Sequence, residues 1–362
     1  MTEELRQETG IKPLLTIAIP TYNRARYLNE LLSVLFDQLI TEPRVELLIS
    51  DNASPDETPS LVEEYQERGL NIRLIRNEVN IGADANFLQC FEMARGKYFW
   101  LFGDDDIIVP GGIRQMLSLL EGDDYALVYA NPYTFRTDYV AEKVSDRFGR
   151  FAEILPNGLH LTRKVGAMLT FISAVIVNKE RFAAVTDYPL SKLIGTNLIQ
   201  LGWVCPLLAS GSRVLFVRET IVAGRGGNCA GWGACQVFGV NLKMVAEATT
   251  ANRGNIATTL CNRTLKVWFP GTIMEIRQGI TTELLQENMR ATLEPTYRTN
   301  WRYWIYVYPL IAAPLPVAKA WHVVIRMSNR LGQILSTIAG FIFRRPYTID
   351  NSRPEHSLGL GQ

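Results

Sequence analysis

Histidine and cysteine are scarce in this chain, with three and five copies in 362 residues. His160, His322 and His356 lie far apart, so a histidine-rich metal site and a Ser-His-Asp triad have little to be built from. Cys90, Cys205, Cys229, Cys235 and Cys261 are odd in number and contain no CxxC pair, which points to reduced thiols in a cytosolic chain. No charged start followed by an apolar stretch opens the sequence, so no secretory signal is expected. The formal net charge is only +1, which leaves no global case for nucleic-acid binding. No GxxxxGK[ST] motif occurs, and no GxGxxG follows the first apolar run, so the nucleotide folds with a glycine cradle do not match. Gly224-Arg225-Gly226-Gly227 is glycine-rich but lies late and carries little alone.

What is present is an ordinary globular composition, 47% hydrophobic and 20% charged. The length suits one large domain or two ordinary ones. The first half alternates strand and helix patterns. Leu14–Ile19 reads as a strand ended by Pro20. Residues 24–39 place Tyr27, Leu28, Leu31, Leu32, Leu35 and Phe36 at helical spacing. Val45–Ser50 is a second strand. Ser54-Pro55-Asp56-Glu57 has the form of a helix start, with serine as cap and proline at the first helical position. Strand patterns recur at 71–75, 97–102 and 125–129, and helix patterns at 83–94 and 112–120. Leu169–Asn178 reads as a further strand, which carries Ser173.

This rhythm implies an α/β fold with a parallel, doubly wound sheet, whose ligands bind beyond the carboxyl ends of the strands. Three polar clusters fall at those ends: Thr21-Tyr22-Asn23-Arg24, Asp51-Asn52-Ala53-Ser54 and Asp104-Asp105-Asp106. Adjacent carboxylates repel and resist burial, and a divalent cation shared with substrate phosphates would relieve both costs. The other reading of the triplet is a solvated acidic turn, and of Asp51-Asn52 a turn and cap. Neither explains the shared placement of the clusters, which suits a nucleotide with Asp51 at base or ribose.

Four segments carry a resemblance. Thr16–Arg24 resembles the opening of family 2 type glycosyltransferases with the GT-A fold. Glu46–Ser54 is similar to their second strand and DNxS turn, Arg76–Gly82 to their N-x-x-N-x-G segment, and Leu101–Asp106 to their DxD region. The wording SDNAS and WLFGDDD is similar to abequosyltransferase-like enzymes of O-antigen assembly. The fold this implies is a Rossmann-like mixed sheet flanked by helices, with a C-terminal helical, amphipathic extension. The resemblance implies that Pro20, Thr21, Tyr22 and Arg24 line the nucleotide pocket and Asp51 contacts the base. It implies that Asn80, Gly82 and Asn86 shape the donor site, and that Asp104 lies near the ribose and diphosphate. Asp105 becomes the first choice for a Mg²⁺ or Mn²⁺ ligand, with Asp106 a second ligand or a support. Gly103 stands where many members have their first aspartate.

The implied activity is transfer of a sugar, a deoxysugar in the narrower match, from a nucleoside-diphosphate donor to a polyprenyl-diphosphate-linked oligosaccharide. An inverting member needs a general base. No Glu-Asp pair occurs between 150 and 240, and Asp187 is the candidate, ahead of His160. A retaining mechanism stays open. So do a nucleotidyltransferase and a non-catalytic nucleotide-sugar-binding protein. The same resemblance sets Ser173 facing the donor sugar, while Trp232, in the segment 225–233, either stacks on a sugar or packs in a connector.

The last third is of another kind. Residues 301–318 are aromatic and apolar but interrupted by Pro309, Pro314 and Pro316, against one straight membrane span. From Val317 to Phe343 the pattern is amphipathic, with Lys319, His322, Arg326 and Arg330 at helical spacing and Arg344-Arg345 at its end. It suits either an anionic membrane surface or packing on the body or on a second copy of the chain. The expected divisions are a tail 1–13 and a catalytic domain 14–240, the latter split into a nucleotide-sugar half 14–130 and an acceptor half 131–240. A membrane-associating extension 241–345 and a polar tail 346–362 follow. The expected location is the cytoplasmic face of the inner membrane.

Overall fold

A computed structural model describes residues 12–143, 151–227, 231–251, 253–280 and 287–342. Most of the two terminal tails, Asn228 and Arg344-Arg345 lie outside the described residues. Four strands open the chain: β1 (Leu15–Thr21), β2 (Val45–Asp51), β3 (Ile72–Arg76) and β4 (Tyr98–Leu101). Between and after them run α1 (Ala25–Leu39), α2 (Thr58–Glu67), α3 (Ala83–Met93) and α4 (Gly112–Gly122), with the short β5 (Ile107–Ile108) before α4. β1 pairs in parallel with β2 and β4, and β2 with β3. Pro20 does not end β1, as its pattern suggested. The ladder to β4 stops at Ala18, so the edge from which a proline withholds its N–H is already free there.

The second half adds β6 (Leu127–Phe135), β7 (Ala152–Leu155), β8 (Val175–Asn178) and β9 (Val214–Arg225). Among the described residues nine strands form one sheet, in the order β3-β2-β1-β4-β8-β6-β9-β5 with β7 beside β9. β8 runs antiparallel to both β4 and β6, so the sheet is mixed and not wholly parallel. Alternation in the strands sorts the core onto two faces. Ile17, Ile19, Leu47, Ile49 and Trp100 meet α1, α2 and α4 on one face. Ala18, Leu48, Phe99 and Leu101 meet α3 and the later helices on the other.

Two expected elements move. Helix α2 begins at Thr58, not at Ser54: Ser54 Oγ accepts from the Asn23 N–H, and Asp56 accepts from the N–H groups of Ala25 and Thr58. The run 169–178 is a strand only from Val175; helical turns occupy Gly166–Thr170 and Ile172–Ala174 before it.

The remaining helices are α5 (Gly158–Val165), α6 (Lys179–Val185), α7 (Leu201–Ala209), α8 (Leu242–Thr250), α9 (Ile256–Arg263), α10 (Phe269–Arg277), α11 (Met289–Tyr297), α12 (Tyr308–Ala312) and α13 (Leu315–Ile342). The α3 side of the core continues through Leu242, Leu260, Phe269, Tyr303 and Leu310 to Ala318 and Ile325, so the helical region and the sheet share one apolar interior. Cys90, Cys205, Cys235 and Cys261 are buried free thiols within it.

Candidate active site

The ends of β1, β2 and β4 converge on one cavity of about 550 Å³. Its walls include Pro20, Thr21, Tyr22, Arg24, Asn80, Gly82, Asn86, Asp104 and Asp105, all expected from the sequence. Backbone geometry explains much of the convergence. Asn23 (φ 55°) and Ala53 (φ 64°) take the left-handed conformation that reverses the chain after β1 and β2. Gly82 (φ 84°) does the same before α3, and because a Cβ there would meet nothing, its conformation rather than space calls for glycine.

Asparagines hold the rim together. Asn52 Nδ2 donates to Asn80 Oδ1 (2.9 Å), while Asn52 Oδ1 accepts from the Ile81 N–H and from Asn77 Nδ2, both at 3.0 Å. Asn86 is buried; its Oδ1 accepts from Ser50 Oγ (2.6 Å) and its Nδ2 donates to the Ser50 carbonyl (3.1 Å). Asn86 therefore braces the end of β2 as well as lining the cavity.

The expectation for Asp51 is displaced by one residue. Asp51 is fully buried behind the wall, where one oxygen accepts from the Ser54 N–H and the other lies 3.3 Å from Arg76 Nε. That second oxygen takes no hydrogen bond, because the approach of Arg76 is ionic but poorly directed. Asn52, the residue that follows β2, reaches the cavity.

The three aspartates have three different settings. Asp104 accepts from Thr21 Oγ1 (2.8 Å) and pairs with Arg24 Nη1 (3.2 Å). Burial pushes its carboxyl up to about 7 even though Arg24 pulls the other way. Asp105 accepts from Arg24 Nη2 (2.8 Å) at the cavity wall. Asp106 turns inward: Oδ1 accepts from the Arg225 N–H (2.9 Å) and Oδ2 from Ser173 Oγ. Burial first, and then the charge of Asp105, push Asp106 up to about 7.

Asp106 thus braces the site from beneath and does not line the cavity. Among the described residues no group of three or more His, Cys, Asp and Glu is gathered as a metal site. With Asp106 turned inward, Asp104 and Asp105 are the members of the triplet at the cavity wall. Gly103 is fixed by the same packing, because a Cβ there would lie 2.9 Å from Asp106 Oδ2 and 3.3 Å from Ser173 Oγ. Ser173 is buried, donates to Asp106 and accepts from the Gly103 N–H (2.9 Å), so it does not face a sugar.

Asp187, the expected base, is exposed and stands apart from the cavity lining. It follows α6, which starts where Asn178 pairs with Tyr98, at the opposite end of β4 from the triplet. His160 is likewise peripheral, its Nδ1 sitting 2.9 Å from Asn157 Oδ1.

Sequence reasoning missed Asp84, Phe87, Ile172 and Asn197, and left Trp232 open; all five line the cavity. Asp84, in the first turn of α3, accepts from the N–H groups of Gly195 and Asn197 (both 2.8 Å) and of Ile199 (3.4 Å). Burial pushes its carboxyl up, and those N–H groups oppose the push. An aspartate in a first helical turn reads as an ordinary helix-dipole partner, which hid this tether. Trp232 packs on Phe238 (5.1 Å between ring centroids), which packs on Trp268 (4.2 Å).

A mixed sheet flanked by helices, with a cavity at its strand ends, has the GT-A architecture. Residues 16–176 match the glycosyl transferase family 2 model. The abequosyltransferase RfbV of Salmonella typhimurium is 33% identical over 204 residues, covering 51% of this chain and 58% of that protein. The uncharacterized glycosyltransferase MJ1057 of Methanocaldococcus jannaschii is 28% identical over 124 residues, covering 34% of this chain and 42% of that one. The chain therefore spans less than two-thirds of these curated relatives. Among solved structures, S. aureus TarS 1-349 in complex with UDP superposes with a TM-score of 0.56 at 16% identity, covering 88% of this chain and 91% of that chain. The same TarS segment without UDP gives 0.54 at 17% identity, with the same coverage. At such identities the likeness establishes the fold.

Proposed function

We propose that the chain transfers a sugar from a nucleoside-diphosphate donor, held in the cavity at the ends of β1, β2 and β4, to a lipid-linked oligosaccharide. The observation that carries this reading is the meeting of Thr21–Arg24, Asn52, Asn80 and Asp104-Asp105 around one cavity. Similarity to an abequosyltransferase supports a deoxyhexose as the sugar and a bacterial surface polysaccharide as the product.

The donor set at the triplet suits a cation. Asp104 and Asp105 already hold one, the guanidinium of Arg24, at 3.2 and 2.8 Å. Mg²⁺ or Mn²⁺ is bound by one or two carboxylates when substrate phosphates complete its shell. Asp105 and Asp104 would hold it, with Asp106 left in its inward place. Once bound, such an ion supplies neutralising charge to the departing diphosphate. Arg24, half-buried just after β1, would leave the carboxylates and pair with phosphate oxygens. The asparagine rim orients the nucleoside. Trp232 offers a flat apolar face to a pyranose, and closing it over the cavity would keep water from the anomeric carbon. Asp187 has no part in this reading.

The test is a thermal-shift screen of UDP-, GDP-, CDP- and dTDP-sugars with and without Mn²⁺, followed by product analysis. One nucleotide class should raise the melting point in the presence of the metal, because a ligand of the native state stabilises it. Turnover should release nucleoside diphosphate. Release of pyrophosphate would identify a nucleotidyltransferase instead, and no stabilisation by any nucleotide would remove the donor site.

A further inference from the structure

We propose that α13 and the turn before it form a docking surface for an anionic membrane, on which the protein lies without crossing. The inference goes beyond the donor cavity and stands on the surface of the C-terminal helices alone.

Helix α13 has 28 residues, and its described side chains meet the body along one narrow stripe. Ala318 and Ile325 on that stripe are buried, and His322 and Asn329 are partly so. Asn329 Nδ2 donates to the Lys266 carbonyl (3.1 Å). At 100° per residue these four positions span a single edge of the helix. The broad opposite face is apolar and exposed, through Val317, Trp321, Val324, Met327, Leu331 and Ile334. Met327 and Leu331 are 60% and 59% exposed, far more than a packed helix leaves open.

The patch extends onto the preceding segment. Trp321 Nε1 donates to the Ile305 carbonyl (2.8 Å), which joins α13 to the exposed Trp301, Trp304 and Ile305. Three tryptophans at the edge of an apolar face suit the water–lipid boundary, where an indole keeps its ring apolar and its N–H bonded. Lys319, Arg326 and Arg330 are exposed and fall on one flank, between the packed stripe and the apolar face. From Trp301 to Arg345 the sequence has six Lys and Arg and no Asp or Glu, in a chain whose formal net charge is only +1.

That charge selects the occupant. A second copy seated on this face would bring two basic flanks together with no acid on either helix to pair them. Anionic headgroups satisfy the flank while acyl chains cover the face. Among the described residues no helix is long and apolar enough to cross a membrane, so the surface lies in the plane of the bilayer.

Vesicle flotation of the full chain tests this without donor, acceptor or metal, so its failure and that of the transfer reading are separable. Wild type should float with vesicles rich in phosphatidylglycerol, and far less with pure phosphatidylcholine. The triple variant Lys319→Gln/Arg326→Gln/Arg330→Gln should lose on the order of a hundredfold in affinity at low salt. Val324→Asp/Leu331→Asp should abolish flotation. All five positions are exposed, so the melting point of each variant should equal that of wild type. Equal binding to both vesicle types would overturn the proposal. So would a lipid-free dimer, seen by analytical ultracentrifugation, that Val324→Asp dissociates.

Discussion

The cavity has two walls of different construction. One is made of strand ends: Thr21 and Asn52 continue β1 and β2, and Asp104-Asp105 follow β4. Ladder register places these residues, with Thr21 opposite Asp51 and Ala18 opposite Leu101. The other wall is made of Ile172, Asn197 and Trp232, which come from turns and loops outside the strand ladders, Asn197 tethered by the Asp84 side chain. In the proposed transfer, a wall fixed by backbone pairing suits the invariant part of a substrate, the diphosphate and nucleoside. A wall fixed by tethers can be re-aimed with few changes, and suits the part that varies, the sugar and acceptor.

The largest separation of the two should come from Asp105→Asn. We expect transfer to fall by about a thousandfold, as when a transition-state charge partner is lost. Unfolding free energy should stay within about 0.5 kcal/mol, since the side chain sits at the cavity wall. Denaturant melts beside initial rates would decide it; a variant that retained transfer would break the assignment of the strand-end wall to the diphosphate.

On the tethered wall the corresponding substitution is Asp84→Ala. It strands the N–H groups of Gly195, Asn197 and Ile199, and should cost roughly 2–3 kcal/mol. Amide exchange should quicken across 195–199 and leave β1 protected. If protection fell equally in β1, the two walls would be one unit and the contrast would dissolve.

Asp106 measures the join between the walls, because Ser173 and Arg225 reach it from the second half of the chain. Asp106→Ala should cost about 1–3 kcal/mol by leaving buried donors unpaired. Asp106→Asn keeps acceptor and shape, and burial already pushes the native carboxyl up to about 7, so the loss should be smaller. Chemical melts of the pair at neutral pH would show it; equal losses would mean that charge, not hydrogen bonding, secures the join.

These contrasts show what the sequence could reveal. The strands are legible, and their ends nearly so, because an apolar run that gives way to polar residues marks where the strand stops, and alternation needs no partner to be seen. The inward turn of Asp106 was not legible. Three adjacent aspartates differ only in what stands opposite them, and Ser173 and Arg225 lie 67 and 119 residues away. That Asp51 lies behind the wall while Asn52 reaches the cavity was hidden for a related reason: at a strand end, one step reverses the side a residue faces. Ser54 read as a helix cap because its spacing to Glu57 is right, yet its hydroxyl was already committed to the Asn23 N–H. The tether from Asp84 to 195–199 left no local trace at all.

Trp232→Ala sharpens the division of labour at lower cost. Removing one stacking face should raise KM for the sugar-bearing substrate roughly threefold to tenfold. Affinity for the bare nucleoside diphosphate should be unchanged, because the strand-end wall holds it. Titration calorimetry with the nucleotide, set beside steady-state kinetics, separates the two; a loss of nucleotide affinity would move Trp232 to the other wall.

The smallest effect lies at the far end of α3, whose first turn carries Asp84. There Lys179 Nζ donates to the carbonyls of Phe91 and Ala94, both at 2.6 Å, and lies over the Phe91 ring. Burial lowers its pKa from 10.5 to about 8. Between those values the unfolded chain binds the proton that the native state has released, so stability rises with pH across that window. The gain is complete above the unfolded value and is lost as pH falls through about 8. Lys179→Met removes the titration and should flatten this part of the melting-point profile. It should leave donor affinity untouched, because the ladder and the Asp84 tether fix the cavity end of α3 independently. A donor affinity that followed the state of Lys179 would show that α3 transmits strain from one end of the sheet to the other. The strand-end wall would then be no more rigid than its neighbour.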